Sequence, residues 1–542
     1  MGVFETVKKA VKGWMQTMGA ESGLGREFAD IFELDGVPAY REFYNLGIFP
    51  WKYVYKGFYT PWHVISAPTI ADKNNKRHMA HMDMGKAVCA ELAGLIWTDQ
   101  AEITITTNGI DLPDGDPDPL QKFVEMVLKK NNFSRKMQEL IEQSAALGGA
   151  AMKVWRDVKR DRNGNEIAGT DMLKVGYCQA DQFVPVSWDN AGVSEGIFIS
   201  RIARGGYYYT RLEWHRWDGL TYYVTNELYK AEMKKNGSPE AQDILGFRIP
   251  LTSMYPFLDD EATISGLEKS LFTYFRPPIA NNIDDNSPLG ISVYANAMET
   301  LHALDICFDS FIREFKLGKK RIIVPARMIK TVMDPVTGEM RRYFDATDET
   351  YEALSTDDPD QLRIQDNSVE LRVDEHVGAI NAFLNVLCLQ IGLSFGTFSF
   401  DIHGGLKTAT EVISQDSKTY KTIKNYQNMI RPAVEDLVDS IIMLGRLYGM
   451  EIDGVPISTL AEHGYEVAVS MDDGITQDRQ TNINEGITLV GAGLISKKTF
   501  LTDPKYGQGL TDEAADQELM RIAKEARLTS GAIDLITLGT AE

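Results

Sequence analysis

From Thr408 to Tyr448 apolar residues recur every three or four positions with no turn signal, placing Ile423, Tyr426, Ile430, Val434, Leu437, Ile441, Leu444 and Tyr448 on one stripe. A rise of ~1.5 Å per residue makes this helix about 60 Å long, and Pro432 marks an expected kink. Thr408 and Glu411 form a T-x-x-E capping box that specifies its start. Its early part, Ser414 to Thr422, is polar all round, as expected of a helix beside a wet channel or a neighbouring subunit. A rod of this length constrains every other element.

Two further helical patterns precede it. In "NSPLGISVYANAMETLHALDICFDSFIREFKLGKKR", Ser287 reads as N-cap and Pro288 as the first helical residue, with Ile291, Tyr294, Met298, Leu301, Leu304, Phe308, Phe311 and Phe315 on one stripe. This helix ends in the basic residues Arg313, Lys316, Lys319, Lys320 and Arg321, which suit a helix C-terminus and are placed to meet phosphate. A compact insert follows, with strands expected in "RIIVPARMI" and "SVELRV" around a turn at Asp334 to Gly338. The second helix runs from Val373 to Leu393. Val377 to Phe400 carries no charged residue and is long enough to span a bilayer, so a membrane-anchored scaffold is one alternative. Asn381 and Asn385 share a helix face, which favours packing within an oligomer.

Between the second helix and the long one lies "SFGTFSFDIHGGLK". Phe395, Phe398 and Phe400 beside His403, Gly404, Gly405 and Lys407 are too many rings and glycines for an idle connection. The expectation is that the rings anchor the loop against neighbouring subunits while the Gly-Gly pair lets its tip move.

Upstream, residues 70–150 read as helical, ending at Gly148-Gly149. From Ala151 to about Glu232 short β-branched and aromatic runs, punctuated by Asn163-Gly164 and Asp218-Gly219, predict an antiparallel sheet. The first residues form an amphipathic pattern with Phe4, Val7, Val11 and Trp14 on one face; "MGVFET" also fits a loose myristoylation pattern, which a docked terminal helix explains equally. The chain from Glu451 reads as acidic and mostly helical.

The formal charge of −21 argues against a protein that grips nucleic acid over its whole surface, though not against one that DNA slides past. Four scattered cysteines indicate neither a disulfide framework nor a zinc knuckle, and fit a reducing cytoplasm. No phosphate-cradling P-loop occurs, and no cofactor is expected. His78, His81 and Asp83 are conceivable metal ligands on a helix face, with surface histidines the plainer reading. Glu213 and His215, two apart on a strand, share a face, so a hydrolase using them is a second alternative. Asp114 to Pro119 and Asp161 to Glu166 hold oxygen ligands without the calcium-loop pattern, and read as turns.

The order of elements resembles the portal proteins of tailed bacteriophages, above all those of siphophages infecting Gram-positive bacteria. "RKMQELIEQSAALGGAAMKV" is similar to that family's helix-to-wing passage, and "SFDIHGGLKTATEVISQ" to its tunnel loop and following helix. The resemblance implies an α+β fold. Its parts would be a helical and β wing (1–287), a first stem helix (288–318), a small α/β clip (319–374), a second stem helix (375–393), a tunnel loop (394–407), a long kinked wing helix (408–449) and a helical crown (450–542). It also implies a non-enzymatic dodecameric ring at one capsid vertex, present in the virion and assembled in the host cytoplasm. That ring would pass double-stranded DNA without sequence preference and would bind terminase, head-completion or adaptor proteins, scaffold and major capsid protein, with no membrane contact. An acidic bore would keep DNA from stalling, and the stem-clip cluster Arg313, Lys316, Lys319, Lys320 and Arg321, with Lys407, would touch phosphate.

Overall fold

The computed structural model describes residues 29–68, 72–98, 101–108, 118–161, 165–167, 169–232, 245–318, 322–323, 331–333, 338, 340–342, 365–366, 370–399, 409–471, 479–503, 506, 510, 515–522 and 524. The N-terminal amphipathic pattern, the Asn163-Gly164 turn and the Asp114 to Pro117 stretch lie outside them. The chain is α+β and divides into two units, 1–404 with 417–471, and 405–416 with 472–542.

The first unit is built on helices. Short helices α1 (Phe49–Tyr55) and α2 (Thr60–His63) lead through a hairpin, β1 (Val64–Ser66) with β2 (Lys76–His78), into α3 (Met84–Ile96). Strand β3 (Glu102–Thr107), α4 (Pro119–Lys130) and α5 (Phe133–Leu147) follow. Asp118 caps α4, its carboxylate accepting from the N–H of Leu120 at 2.8 Å and of Thr107 at 2.7 Å. The core joins Val88, Cys89 and Leu92 of α3, Met137, Leu140 and Ile141 of α5, and the stripe of the long helix α8 (Ala409–Leu447). Ile423, Tyr426, Ile430, Val434, Leu437, Ile441 and Leu444 of that stripe are all buried, each aliphatic side chain contributing roughly 1.5–3 kcal/mol. Tyr448 lies past the helix end, exposed beneath the Arg156 guanidinium at 5.0 Å. The helix continues through Pro432, and the Thr408 capping box lies outside the described residues.

Helix α5 stops where the chain must turn into a strand. Gly148 adopts φ +86°, and a Cβ there would stand 2.4 Å from the Gly290 carbonyl oxygen, so glycine is required twice over. Beyond it β4 (Ala150–Asp157) is the centre of a three-stranded antiparallel sheet with β5 (Met172–Gln179) and β12 (Phe272–Phe275). A second antiparallel sheet runs β10 (Phe247–Ile249), β9 (Thr221–Glu232), β8 (Tyr207–Asp218), β7 (Val193–Arg204), β6 (Phe183–Trp188), with β11 (Glu261–Ser265) also on β9. Gly205-Gly206 and Gly219-Leu220 make its two-residue hairpin turns, so the turn at Asp218-Gly219 falls one residue later than the sequence suggests.

Elsewhere the structure differs from the sequence reading. The segment 288–294 is not helical: helix α6 covers Met298–Leu317, and Ser287 Oγ accepts from the Leu289 N–H at 3.1 Å in a local turn. Leu289 through Tyr294 are all buried, and Val293 donates to the Ala145 carbonyl at 2.9 Å. The stretch 70–150 is not wholly helical, because β2 and β3 interrupt it. Glu370 to Arg372, expected in a strand, precede helix α7 (Val373–Ile391) without strand structure. In the insert, β13 (Ile322–Ile323) pairs with β16 (Gln365–Asp366) and β14 (Thr331–Met333) with β15 (Met340–Arg342), both antiparallel. Residues 450–471, read as helical, instead begin with the hairpin β17 (Glu451–Ile452) and β18 (Val455–Pro456) and end in β19 (Tyr465–Ser470), which pairs with β3.

In the second unit α9 (Arg479–Gly491) and α10 (Lys497–Thr502) pack closely, Gly486 leaving room for the Phe500 ring, and the Ser496 hydroxyl caps α10 by accepting from the Thr499 N–H at 3.0 Å. The four cysteines are free thiols.

Candidate functional site

Helices α6 and α7 form an antiparallel pair. Arg372, just before α7, grips Glu314 near the end of α6 through two hydrogen bonds of 3.1 and 2.9 Å, and the rings of Phe311 and His376 lie 5.4 Å apart. One side of the pair is filled by Leu301, Leu304, Ile380, Leu384, Leu387 and Ile391. The other is not: Leu389 is 53% exposed, and Ile306, Leu317 and Val386 are also open, while Phe315, which continues the stripe of Leu301 and Leu304, is exposed near the end of α6. Of the basic cluster, Arg313 and Lys316 sit exposed on the last turns of α6; Lys319, Lys320 and Arg321 lie outside the described residues.

The connection from α7 to α8 is held by hydroxyl groups that the sequence reading missed. Gly392 takes φ +84°, and the carbonyls that α7 leaves open are met from α8: Thr422 Oγ1 donates to Gly392 O at 2.6 Å and Lys418 Nζ to Leu389 O at 2.9 Å. Ser394 N–H donates to Thr419 Oγ1 at 2.9 Å, and that hydroxyl donates to Ser394 Oγ at 3.0 Å. Gly396, at φ +83°, donates its N–H to Asn385 Oδ1 at 3.1 Å. The detectable signal was the spacing Lys418, Thr419, Thr422 on one helix face. The predicted rings divide. Phe398 packs against the core, whereas Phe395 is 55% exposed. Phe400, His403, Gly404, Gly405 and Lys407 lie outside the described residues; the positive-φ glycines seen to turn the chain here are Gly392 and Gly396.

Glu213 and His215 do meet, at 2.9 Å, but inside the protein. Glu213 also binds Lys153 of the neighbouring sheet at 2.6 Å and Arg211 at 2.7 Å, while His215 Nδ1 is 2.7 Å from the Tyr222 hydroxyl. Burial opposes the Glu213 charge, yet Lys153, His215 and Arg211 outweigh it and hold the carboxyl well below its ordinary range. Burial, opposed by Glu213, pulls His215 down. With both side chains buried, the pair joins two sheets.

His78 and His81 belong to a strand and a loop, not to a helix face. Among the described residues no group of three His, Cys, Asp or Glu side chains is arranged to hold a metal ion. No helix among them is long and apolar enough to cross a membrane; the uncharged run 377–400 is broken at Gly392.

No curated protein matches this sequence. Among solved structures the fold is similar to a chain from the virion of a native gene transfer agent particle, with 9% identity and a TM-score of 0.34 over 77% of this chain and 88% of that one. The family described as phage portal protein, SPP1 Gp6-like, matches residues 48–531. That span takes in both sheets, the α6–α7 pair, the insert, the long helix and the described part of the second unit, so the chain belongs to this family of structural head–tail connectors of the virion.

Proposed function

We propose that the protein is the portal ring at a unique capsid vertex, a conduit for double-stranded DNA during packaging and ejection. The α6–α7 pair is its stem, the insert 319–374 its clip, the 394–407 connection its tunnel loop, and the segment beyond residue 471 the bulk of its crown. The clip docks terminase, and head-completion, scaffold and major capsid proteins bind the assembled ring.

The observation that carries this reading is the family match over 48–531, joined to a paired rod whose outward side leaves Ile306, Leu317, Val386 and Leu389 open. A second copy related by rotation covers such residues on every subunit at once, as head-to-tail contacts in a closed ring require. The net charge of −21 suits a passage that repels phosphate rather than holding it. Arg313 and Lys316, with Lys319, Lys320, Arg321 and Lys407, supply weak, sequence-independent phosphate contacts that limit the barrier. Negative-stain microscopy of the purified full chain tests the reading: rings with a central hole are expected, and a protein that stays monomeric at all concentrations contradicts it.

A further inference from the structure

The first half of the long helix carries charge of one sign. After Asp416, α8 holds Lys418, Lys421, Lys424 and Arg431 and no Asp or Glu until Glu435, in a chain whose formal charge is −21. Helix α7 offers nothing to offset these cations, since Val377 to Ile391 is uncharged. Ser417, Lys421, Lys424, Asn425 and Asn428 are exposed, and at about 100° per residue they fall on one face of the helix. The buried residues Thr419, Ile423, Tyr426 and Ile430 take the opposite face. Lys418 flanks the strip; its ammonium spends one of three N–H donors on the Leu389 carbonyl, at 2.9 Å, and is thereby held in place.

We propose that this strip is a phosphate-contact surface, on which Lys418, Lys421 and Lys424, with the amides of Asn425 and Asn428 beside them, touch the backbone of the duplex inside the ring.

This rests on the portal reading, in which the connection leading into α8 lies beside the passage. What the strip lacks selects the partner. A permanent contact between subunits has an apolar centre, as the open side of the α6–α7 pair provides, whereas the exposed residues of the strip are all polar. A polyanion that must move past needs cations and amides that meet phosphate oxygens without reading bases. The attraction is also confined. Acidic residues resume at Glu435, Asp436 and Asp439, and there Lys269 already donates to Asp436 at 2.6 Å and to Asp439 at 2.8 Å. Glu435 is eleven residues beyond Lys424, about 16 Å along the helix, or roughly two Debye lengths at physiological salt, so it does not cancel the strip.

Binding of a short mixed-sequence duplex to the assembled ring, followed by fluorescence anisotropy from about 50 to about 200 mM salt, tests the proposal. Lys421→Gln combined with Lys424→Gln is expected to weaken binding at least about threefold at the lowest salt. It should also lower the slope of log K against log salt by about 1 or more, because each phosphate contact contributes about 0.9. Lys129→Gln with Lys130→Gln, the same loss of charge at the exposed end of α4, should leave the slope as it is. A parent ring that does not bind the duplex overturns the proposal, as does an unchanged slope in the Lys421 and Lys424 variant. Equal losses in both variants overturn it too, since net charge alone would then explain them. Mass photometry of the same samples separates the remaining outcomes: rings lost only in the Lys421 and Lys424 variant make the strip a subunit contact and overturn the proposal. A parent chain that forms no rings contradicts the portal reading itself, whereas rings that form and bind with an unaltered slope overturn the strip alone.

Discussion

Lys153 and Glu213 come from different sheets, and their 2.6 Å contact is buried together with Arg211 and His215. Removing one partner of such a group strands charge in a low-dielectric interior, which outweighs any gain in packing. Lys153→Met is expected to destabilise the first unit by about 3–5 kcal/mol, read as a fall in the denaturant midpoint. The cluster also sets a pH dependence. Glu213 is held below its ordinary value, so its contribution is full above about pH 4.3 and is lost as pH falls through the folded value. His215 is likewise pulled down, so the unfolded chain takes its proton first and stability declines as pH drops below about 6.5. Unfolding midpoints followed from neutral to acid pH should fall less steeply in His215→Gln than in the parent chain; equal slopes would remove His215 from the account. The Glu213 and His215 spacing was legible in the sequence, but its purpose was not, because Lys153 approaches from a strand paired through a different sheet.

At the scale of elements, local patterns predicted what local physics decides. The stripe of α8, the ends of α5 and α7, and strands β4, β5, β7, β8 and β9 follow from periodicity and turn residues alone. The errors fall where a distant partner decides. Strand β3 pairs with β19, hundreds of residues later, and neither has a neighbour in sequence that announces the pairing. Segment 288–294 looked helical because Ser287 and Pro288 imitate a helix start; instead the Val293 bond to the Ala145 carbonyl and the close crossing of Gly290 over Gly148 hold it. Gly148→Ala would force a Cβ onto backbone in a left-handed residue and is expected to cost about 2–4 kcal/mol, seen in thermal unfolding. The candidate site was half legible. Phe395 and Phe398 stood out as rings, but the hydroxyl clasp at Ser394 and Thr419 did not, since serine and threonine are common in helices for no special reason. Thr419→Val leaves the buried Ser394 N–H without its partner and is expected to cost about 1–3 kcal/mol. Thr419→Ser, which keeps the oxygen, should cost less; equal losses would show that the methyl group and not the hydrogen bond matters.

At the scale of the whole molecule, the proposed ring has a second copy covering Leu317 and Leu389, which stand open along the paired rod. Leu317→Asp and Leu389→Asp place charge on that side without touching the buried one. Each is expected to leave the circular dichroism of the subunit unchanged while shifting mass-photometry distributions from ring to monomer; rings that persist in the double variant would move the subunit contact elsewhere. The family match establishes a portal protein, and the arrangement of its subunits about the bore is the central claim of this account. A cryo-electron-microscopy map of the assembled ring tests it most directly. The account predicts the connection from Phe395 to Lys407 on the inner wall, beside the axial passage; a map that puts this connection on the outer rim, with the α6–α7 pair facing solvent, would contradict it.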